Sequence, residues 1–281
     1  MRRAAIIGFP LGHSLSPVIH RHWAKREGIE ASYDKVEAAP DYESFAAAAE
    51  RLGAEGYRGA NVTIPHKENA LRYALDRGGA SERARAAGAA NMLTFNADGS
   101  YADNSDVTGF AAALAEVLTA SDHRNRAILL GAGGAARGVA LALLELGYGA
   151  IGVANRTPAR AEALAIGLGI ETVDWESRAR ALAGADLLVN ATSLGMIGAP
   201  ALEIELAALP RAAIVADIVY GMRETALLRA ARARGLRTVD GLSMLMHQAV
   251  PAYKAWLGRE AVVDAALRAE LEAAIAARSR P

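Results

Sequence analysis

Cysteine is absent from the 281 residues. That excludes disulfides, thiolate metal ligands and a thiol nucleophile, and it fits a reducing compartment. Net charge is missing as well, since 31 lysines and arginines offset 31 aspartates and glutamates. A basic face for nucleic acid or an anionic membrane is therefore not expected. No uncharged apolar stretch approaches the roughly 20 residues of a membrane span. The candidate LLVNATSLGMIGAPAL is interrupted by Asn, Thr, Ser, Gly and Pro. At the start, MRRAAIIGFPLGHSLSP has two arginines, but Gly8 and Pro10 break the apolar run Ala4–Ile7, short of the roughly 7–15 residues of a secretion signal. The expectation is a soluble, cytoplasmic protein.

What is present is core-forming material: 52% hydrophobic and 22% charged residues, enough for two domains of ordinary size. Short apolar runs such as RRAAIIG, RAILLGAG and AAIVADIVY alternate with alanine-rich segments of helical pattern such as DYESFAAAAERLG and ETALLRAARARG. This alternation predicts an α/β fold with mostly parallel sheet covered on both faces. FNADGSYADN departs from it, and Asp98-Gly99 predicts one antiparallel hairpin. Two successive helices, about 242–257 and 260–279, close the sequence with no strand after them, and are expected to pack back on the first domain.

RAILLGAGGAARG reads as strand, glycine turn, helix. That is the context in which G-x-G-x-x-G/A binds a dinucleotide. Gly131 and Gly133 suit the turn and the approach of a pyrophosphate, and Ala136 suits close helix–strand packing. The pyrophosphate would lie at the helix N-terminus, against free N–H groups. The plainer alternative is a glycine turn with no ligand. The following strand ends ANRTPAR, with Asn155, Arg156 and Thr157, then Arg160, and no carboxylate for a ribose 2′-hydroxyl. An arginine there accommodates a 2′-phosphate, so NADP is favoured over NAD, unless Arg156 is an ordinary surface residue.

In GFPLGHSLSPVIH, Ser14 and Ser16 precede Pro17. Ser16 can be a helix cap with Pro17 as first helical residue, or the two hydroxyls can seat a carboxylate; the residues alone leave both open. GANVTIPHKENA puts Lys67 in the first turn of a helix, just past Thr63. A cation there faces the positive end of the helix dipole. It is either a surface lysine or a proton carrier held by a carboxylate, for which Asp106 in YADNSDVTGF is a candidate. His20 and His22 lie two apart on a helix, so they point to different faces and make a poor metal pair. No metal site is expected, and LVNATSLGM lacks the glycine-flanked serine of a hydrolase elbow.

With GFPLGHSLSPVIH, GANVTIPHK, GAAN, DNSDVTG, GAGGAARG, NRT, NATSLGM, DIVY and DGLSMLMHQA in this order, the chain resembles the shikimate dehydrogenases over nearly its whole length. The resemblance implies NADPH-dependent, reversible reduction of 3-dehydroshikimate to shikimate in aromatic amino-acid biosynthesis. It implies Lys67 and Asp106 as the catalytic pair, Ser14 and Ser16 at the substrate carboxylate, and Thr63, Asn91 and Gln248 at ring hydroxyls or at the pair itself. Tyr220 would line the substrate side. Gly131, Gly133, Gly134 and Ala135 would wrap the pyrophosphate. Asn155, Arg156, Thr157 and Arg160 would take the adenosine phosphate, and Thr192, Ser193 and Gly241 would lie along the nicotinamide half. Residues 1–104 plus helices 242–281 are expected to form the substrate domain, and 105–241 a Rossmann-type NADP domain, with the site in the cleft they share.

Three positions depart from the usual pattern: Met92 follows GAAN, Ser105 stands in Asn-Ser-Asp, and Gly221-Met222 follow Tyr220 where a proline is common. Two rival readings remain. One is a quinate, or dual quinate/shikimate, dehydrogenase using NAD(P), which a carboxylate in place of Arg156 would have favoured. The other is a non-catalytic NADP-binding sensor, which loss of Lys67 or Asp106 would have favoured. Either a monomer or a homodimer is compatible with the residues.

Overall fold

The structure, a computed structural model, describes residues 1–221 and 224–278; Met222 thus lies outside the described residues. In chain order the elements are β1 (Arg2–Gly8), α1 (Ser16–Arg26), β2 (Ala31–Glu37), α2 (Tyr42–Ala54), β3 (Gly59–Val62), α3 (Lys67–Arg77), β4 (Gly78–Ala80), α4 (Glu82–Ala87), β5 (Met92–Asn96), β6 (Gly99–Asp103) and α5 (Ser105–Ala115). They continue with β7 (Arg126–Leu130), α6 (Gly134–Glu145), β8 (Ala150–Ala154), α7 (Pro158–Leu168), β9 (Glu171–Val173), β10 (Leu187–Asn190), β11 (Ile214–Asp217), α8 (Ala226–Ala233), β12 (Arg237–Asp240), α9 (Gly241–Leu257) and α10 (Ala265–Arg278). The chain forms two compact units. One comprises Met1–Asp106 and Met246–Ala277, the other centres on Val107–Leu245, so the chain leaves the first within α5 and re-enters it within α9.

In the first unit a six-stranded sheet has the order β2-β1-β3-β5-β6-β4. β1 is flanked by parallel partners on both sides, which explains its continuous apolar run Ala4–Ile7. β5 runs antiparallel to β3 and returns through residues 97–98 into β6. The expected hairpin is present with its turn one residue earlier than Asp98-Gly99. Gly99 pairs with Asn96 at φ +130°, and a Cβ there would fall 1.8 Å from the Arg77 carbonyl oxygen. Phe45, Leu52, Val62 and Leu93 form the centre of the core beneath α2 and α3. On α9, Trp256 lies so close to β3 that a Cβ on Gly59 would meet its Nε1 at 2.1 Å, and that nitrogen donates to Thr94 Oγ1 at 3.2 Å. Nearby, His20 is buried and stacks on Tyr33 at 4.1 Å between ring centres.

Helix starts follow local chemistry. Asp41 caps α2 by accepting from Ser44 N at 2.7 Å, and Ser81 caps α4 by accepting from Ala84 N at 3.1 Å. α1 corrects one expectation. It begins at Ser16 with Leu15 in the capping position, so Ser16 sits inside the first turn rather than capping it. Pro17 still occupies that first turn, where its missing N–H costs nothing.

The second unit is a six-stranded, wholly parallel sheet of order β12-β11-β10-β7-β8-β9. In this doubly wound order the chain reverses direction across the sheet between β7 and β10, and ligands bind at such a point beyond the strands' C-terminal ends. Residues of α5, α6 and α7 bury one face around Leu129, Val139 and Val189, and α8 helps bury the other around Ile128, Leu188 and Val215. Among the described residues no helix is long and apolar enough to cross a membrane.

Candidate active site

Lys67 and Asp106 are brought together across 39 residues of sequence. Lys67 Nζ donates to Asp106 Oδ2, and the two side chains are only 10% and 5% exposed. Lys67 is the first residue of α3, and Asp106 lies in the first turn of α5. The helix dipole therefore disfavours the cation and favours the carboxylate, and their contact offsets the first effect. Breaking such a buried pair by deleting one partner costs about 3–5 kcal/mol, because the other charge is stranded.

The pair is held by a hydrogen-bonded frame. Asn91 Nδ2 donates to Asp106 Oδ1 at 2.9 Å and to Gln248 Oε1 at 3.0 Å. Asn91 Oδ1 accepts from Ser105 N at 2.8 Å and from Ser105 Oγ at 3.1 Å. Both ends of that amide are thus spent on protein partners, which fixes its orientation and, through it, that of the Asp106 carboxylate. Gln248 uses its carbonyl end toward Asn91. Asn104 anchors the start of α5, with Oδ1 accepting from Asp106 N at 3.1 Å and Nδ2 donating to Ala89 O at 2.8 Å.

Behind Lys67 stands His66, fully buried and stacked on Phe45. Its Nε2 lies 3.0 Å from Ala38 O, which can only accept, so Nε2 carries the proton and Nδ1 accepts from Asn69 Nδ2 at 3.0 Å. His66, Asn104 and Ser105 were not singled out as site residues from the sequence. Each sits beside a motif residue, and polar residues at loop edges read equally well as turn formers.

Ser14 and Ser16 are buried, and Thr63 is half-buried at the end of β3. The segment carrying the serines is tied to that of Thr63 by Phe9 N donating to Ile64 O at 2.9 Å. Contact is close enough that a Cβ on Gly8 would meet Thr63 Cγ2 at 2.4 Å. Tyr220 belongs to the other unit, half-buried beyond β11.

In the second unit the glycines between β7 and α6 have separate reasons. Gly131 has φ +107°, and a Cβ would lie 2.6 Å from Ala191 O, so the fold itself demands glycine. Gly133 takes an extended conformation at the N-cap of α6, and a Cβ there would meet nothing within 4 Å. Its bare backbone is not required by packing, yet it leaves space over the N-terminus of α6, where Gly134 and Ala135 form the first turn without a side-chain cap or an acidic residue. That cradle suits a phosphate. Ala136, the next residue, is fully buried against the sheet.

At the end of β8, Asn155 Nδ2 donates to Thr157 O at 3.0 Å and shapes the turn. Thr157 occupies the cap position of α7 without using its side chain there. Arg156 and Arg160 are exposed, and no ion pair to either occurs among the described residues. Two exposed guanidiniums, an uncapped helix start and a bare glycine fit a phosphorylated dinucleotide. Thr192 is fixed by Asn190 Oδ1, which accepts from its N–H at 3.1 Å and its hydroxyl at 2.7 Å. Ser193 follows in the same turn. A Cβ on Gly241 would meet Ile218 O at 2.4 Å, so the start of α9 lies against the segment after β11.

Known proteins match on both units. The model of the shikimate dehydrogenase substrate binding domain matches residues 6–93, and that of shikimate / quinate 5-dehydrogenase matches 113–218. A shikimate dehydrogenase (NADP(+)) of Rhodopseudomonas palustris strain TIE-1 is 48% identical over 98% of both chains. The shikimate 5-dehydrogenase of Thermus thermophilus, solved with NADP(H) and shikimate, superposes with a TM-score of 0.83 at 33% identity, covering 99% of each chain. A quinate dehydrogenase of Corynebacterium glutamicum solved with NAD has a TM-score of 0.84 at 30% identity, over 98% of this chain and 99% of that one. Identity near one half, sustained from end to end, places the chain in the shikimate dehydrogenase family.

Proposed function

We propose that this chain catalyses the reversible, NADPH-dependent reduction of 3-dehydroshikimate to shikimate, as a step of aromatic amino-acid biosynthesis. The observation that carries the reading is the buried Lys67–Asp106 pair in its Asn91–Gln248 frame. A bare NADP sensor would have no need of a desolvated ion pair, which is weak support for a fold on its own.

NADP(H), when bound, supplies or takes up the hydride. Lys67 Nζ gives a proton to the carbonyl oxygen as the ketone is reduced, and takes it back from the hydroxyl in the oxidation direction. Asp106 Oδ2 holds the amine in place and stabilises its charged form. Asn91 keeps Asp106 from turning, and Gln248 presents its Nε2 to a ring hydroxyl. Ser14 and Ser16 take the substrate carboxylate, and Thr63 and Tyr220 line the ring. Gly131, Gly133, Gly134 and Ala135 accommodate the pyrophosphate. Arg156 and Arg160, with Asn155 and Thr157, take the 2′-phosphate end, while Thr192, Ser193 and Gly241 flank the nicotinamide. The chain would act as a monomer or a homodimer, and the absence of cysteine suits the cytoplasm.

The test is nicotinamide absorbance with shikimate or quinate, each with NADP+ or NAD+. Turnover confined to shikimate with NADP+ is expected. Quinate turnover with NAD+ would move the chain to the broader relatives, where Met92 is the first residue to suspect. NADP+ binding without turnover in any of the four would leave the sensor.

A further inference from the structure

Asn190 and Asp217 end two neighbouring parallel strands, β10 and β11, and are register partners. With Thr225 they form a buried polar trio at the C-terminal edge of the cofactor sheet. Asp217 Oδ1 accepts from Asn190 Nδ2 at 2.9 Å and from Val219 N at 3.1 Å, while Oδ2 accepts from Thr225 Oγ1 at 2.7 Å. Asn190 is committed at both ends as well. Its Nδ2 also donates to Leu194 O at 3.2 Å, and its Oδ1 takes both donors of Thr192. Thr192 Oγ1 in turn accepts from Leu194 N at 3.0 Å, and Thr225 Oγ1 accepts from Leu228 N at 3.3 Å, capping α8. The turn passes near the trio, and a Cβ on Gly195 would come within 3.8 Å of Thr225 Cγ2.

Three donors converge on the two oxygens of Asp217, a set that suits an ionised carboxylate. Burial nevertheless pushes its carboxyl up to about 6, against the lowering by Thr225, Val219 and Asn190. A folded-state value above the unfolded one means that stability falls as pH rises through that range, so the ionised form burdens the fold near neutrality. A residue serving packing alone would be better uncharged.

We propose that Asp217 is a positioning residue: through Asn190 and Thr225 it holds the turn Ala191–Met196 in the arrangement that sets Thr192 and Ser193 along the nicotinamide half of the cofactor. The inference rests on the functional reading above. The same turn excludes a side chain from Gly131, so the phosphate loop and the nicotinamide turn share one backbone contact. A shift of the turn would thus move the reacting end of the cofactor relative to its phosphate anchor.

Asp217→Asn, Thr225→Val and the conservative Thr225→Ser test this. Asp217→Asn places a fourth donor among three, and Thr225→Val removes the hydroxyl while keeping the shape. Both should lower kcat/KM for NADP+ about tenfold or more, and Thr225→Ser should restore most of it. Affinity for adenosine 2′,5′-bisphosphate, which probes only the Arg156 end, should stay within about twofold of wild type. Wild-type kcat/KM in both disrupting variants would overturn the inference alone. So would a loss of bisphosphate affinity in step with kcat/KM, which would mark a general loosening. A wild-type chain that binds no NADP+ would overturn the functional reading, and this inference with it.

Discussion

The polar groups of the two units are used in opposite ways. Around Lys67 and Asp106 nearly every donor meets an acceptor of the same unit: Asn91 is bound at both ends, Gln248 is held by its carbonyl, and His66 by both ring nitrogens. Around the glycine turn of the second unit much is left unspent, including the start of α6, the space beside Gly133, and the heads of Arg156 and Arg160. Groups that move protons must be aimed before the substrate arrives, because reorienting them during reaction raises the barrier. Groups that only hold an anion can wait for it, since the ligand itself completes their hydrogen bonds. The Asn190–Asp217–Thr225 trio is an exception in the second unit, wired like the first.

The comparison breaks most readily at Lys67. Lys67→Ala should cut kcat by about three orders of magnitude, the size expected of a general acid–base, with NADP+ affinity retained in a binding titration. A kcat near that of the wild type would remove the lysine from the chemistry. Next comes Asn91→Ala, which releases Asp106 and Gln248 together. Steady-state kinetics should show kcat down about 100-fold, with KM for NADP+ little changed, the signature of lost aim rather than lost binding. On the waiting side, Arg156→Ala should lower kcat/KM for NADP+ about tenfold or more while any turnover with NAD+ at high concentration stays as it was. Equal losses with both cofactors would place Arg156 elsewhere than at the 2′-phosphate.

Paired glycine variants sharpen the contrast further. Gly133→Ala should leave the thermal midpoint unchanged, because a Cβ there meets open space, yet weaken NADP+ binding several-fold. Gly131→Ala should instead destabilise the fold, by positive φ and by the Ala191 carbonyl. A separate test concerns acid stability. Burial lowers His20 to about 3, against the contribution of Asn61, so the folded unit keeps it neutral. Between that value and 6.5 the unfolded chain binds the extra proton, and stability should fall as pH falls, by about 1.4 kcal/mol per pH unit at most. His20→Leu should flatten that limb in urea titrations at about pH 4–6, and an unchanged limb would assign acid lability to other groups.

How legible all this was depended on distance along the chain. The turn from β7 through Gly131 to α6 could be read because strand, turn and helix are contiguous. The pairing of Lys67 with Asp106, 39 residues apart, does not follow from spacing: the residues alone make Asp106 a candidate, and the order of nine motifs implies the pair. β4 and β9 escaped notice: three residues each at sheet edges, without an alternating pattern to mark them. The start of α1 was misjudged by one residue because serine before proline is a strong capping signal, and here Leu15 holds that place. Asp217 was quoted within DIVY but assigned nothing, since a strand-end aspartate announces its partners only when β10 lies beside β11. The rule that emerges is physical: local hydrogen bonds leave a local pattern, and long-range ones do not.

The return of the chain to its first unit through α9 has a consequence for synthesis. Gln248, whose oxygen Asn91 engages, and Trp256, which covers Gly59, leave the ribosome after the whole cofactor unit. Domains emerging from the ribosome generally fold in order of appearance. Here the first half to be translated must wait for the second to finish, with the backbone of β3 uncovered and the amide of Asn91 one partner short. A transcript cut anywhere before codon 248 would therefore yield no partially active enzyme, and its product would offer chaperones and proteases an open sheet face.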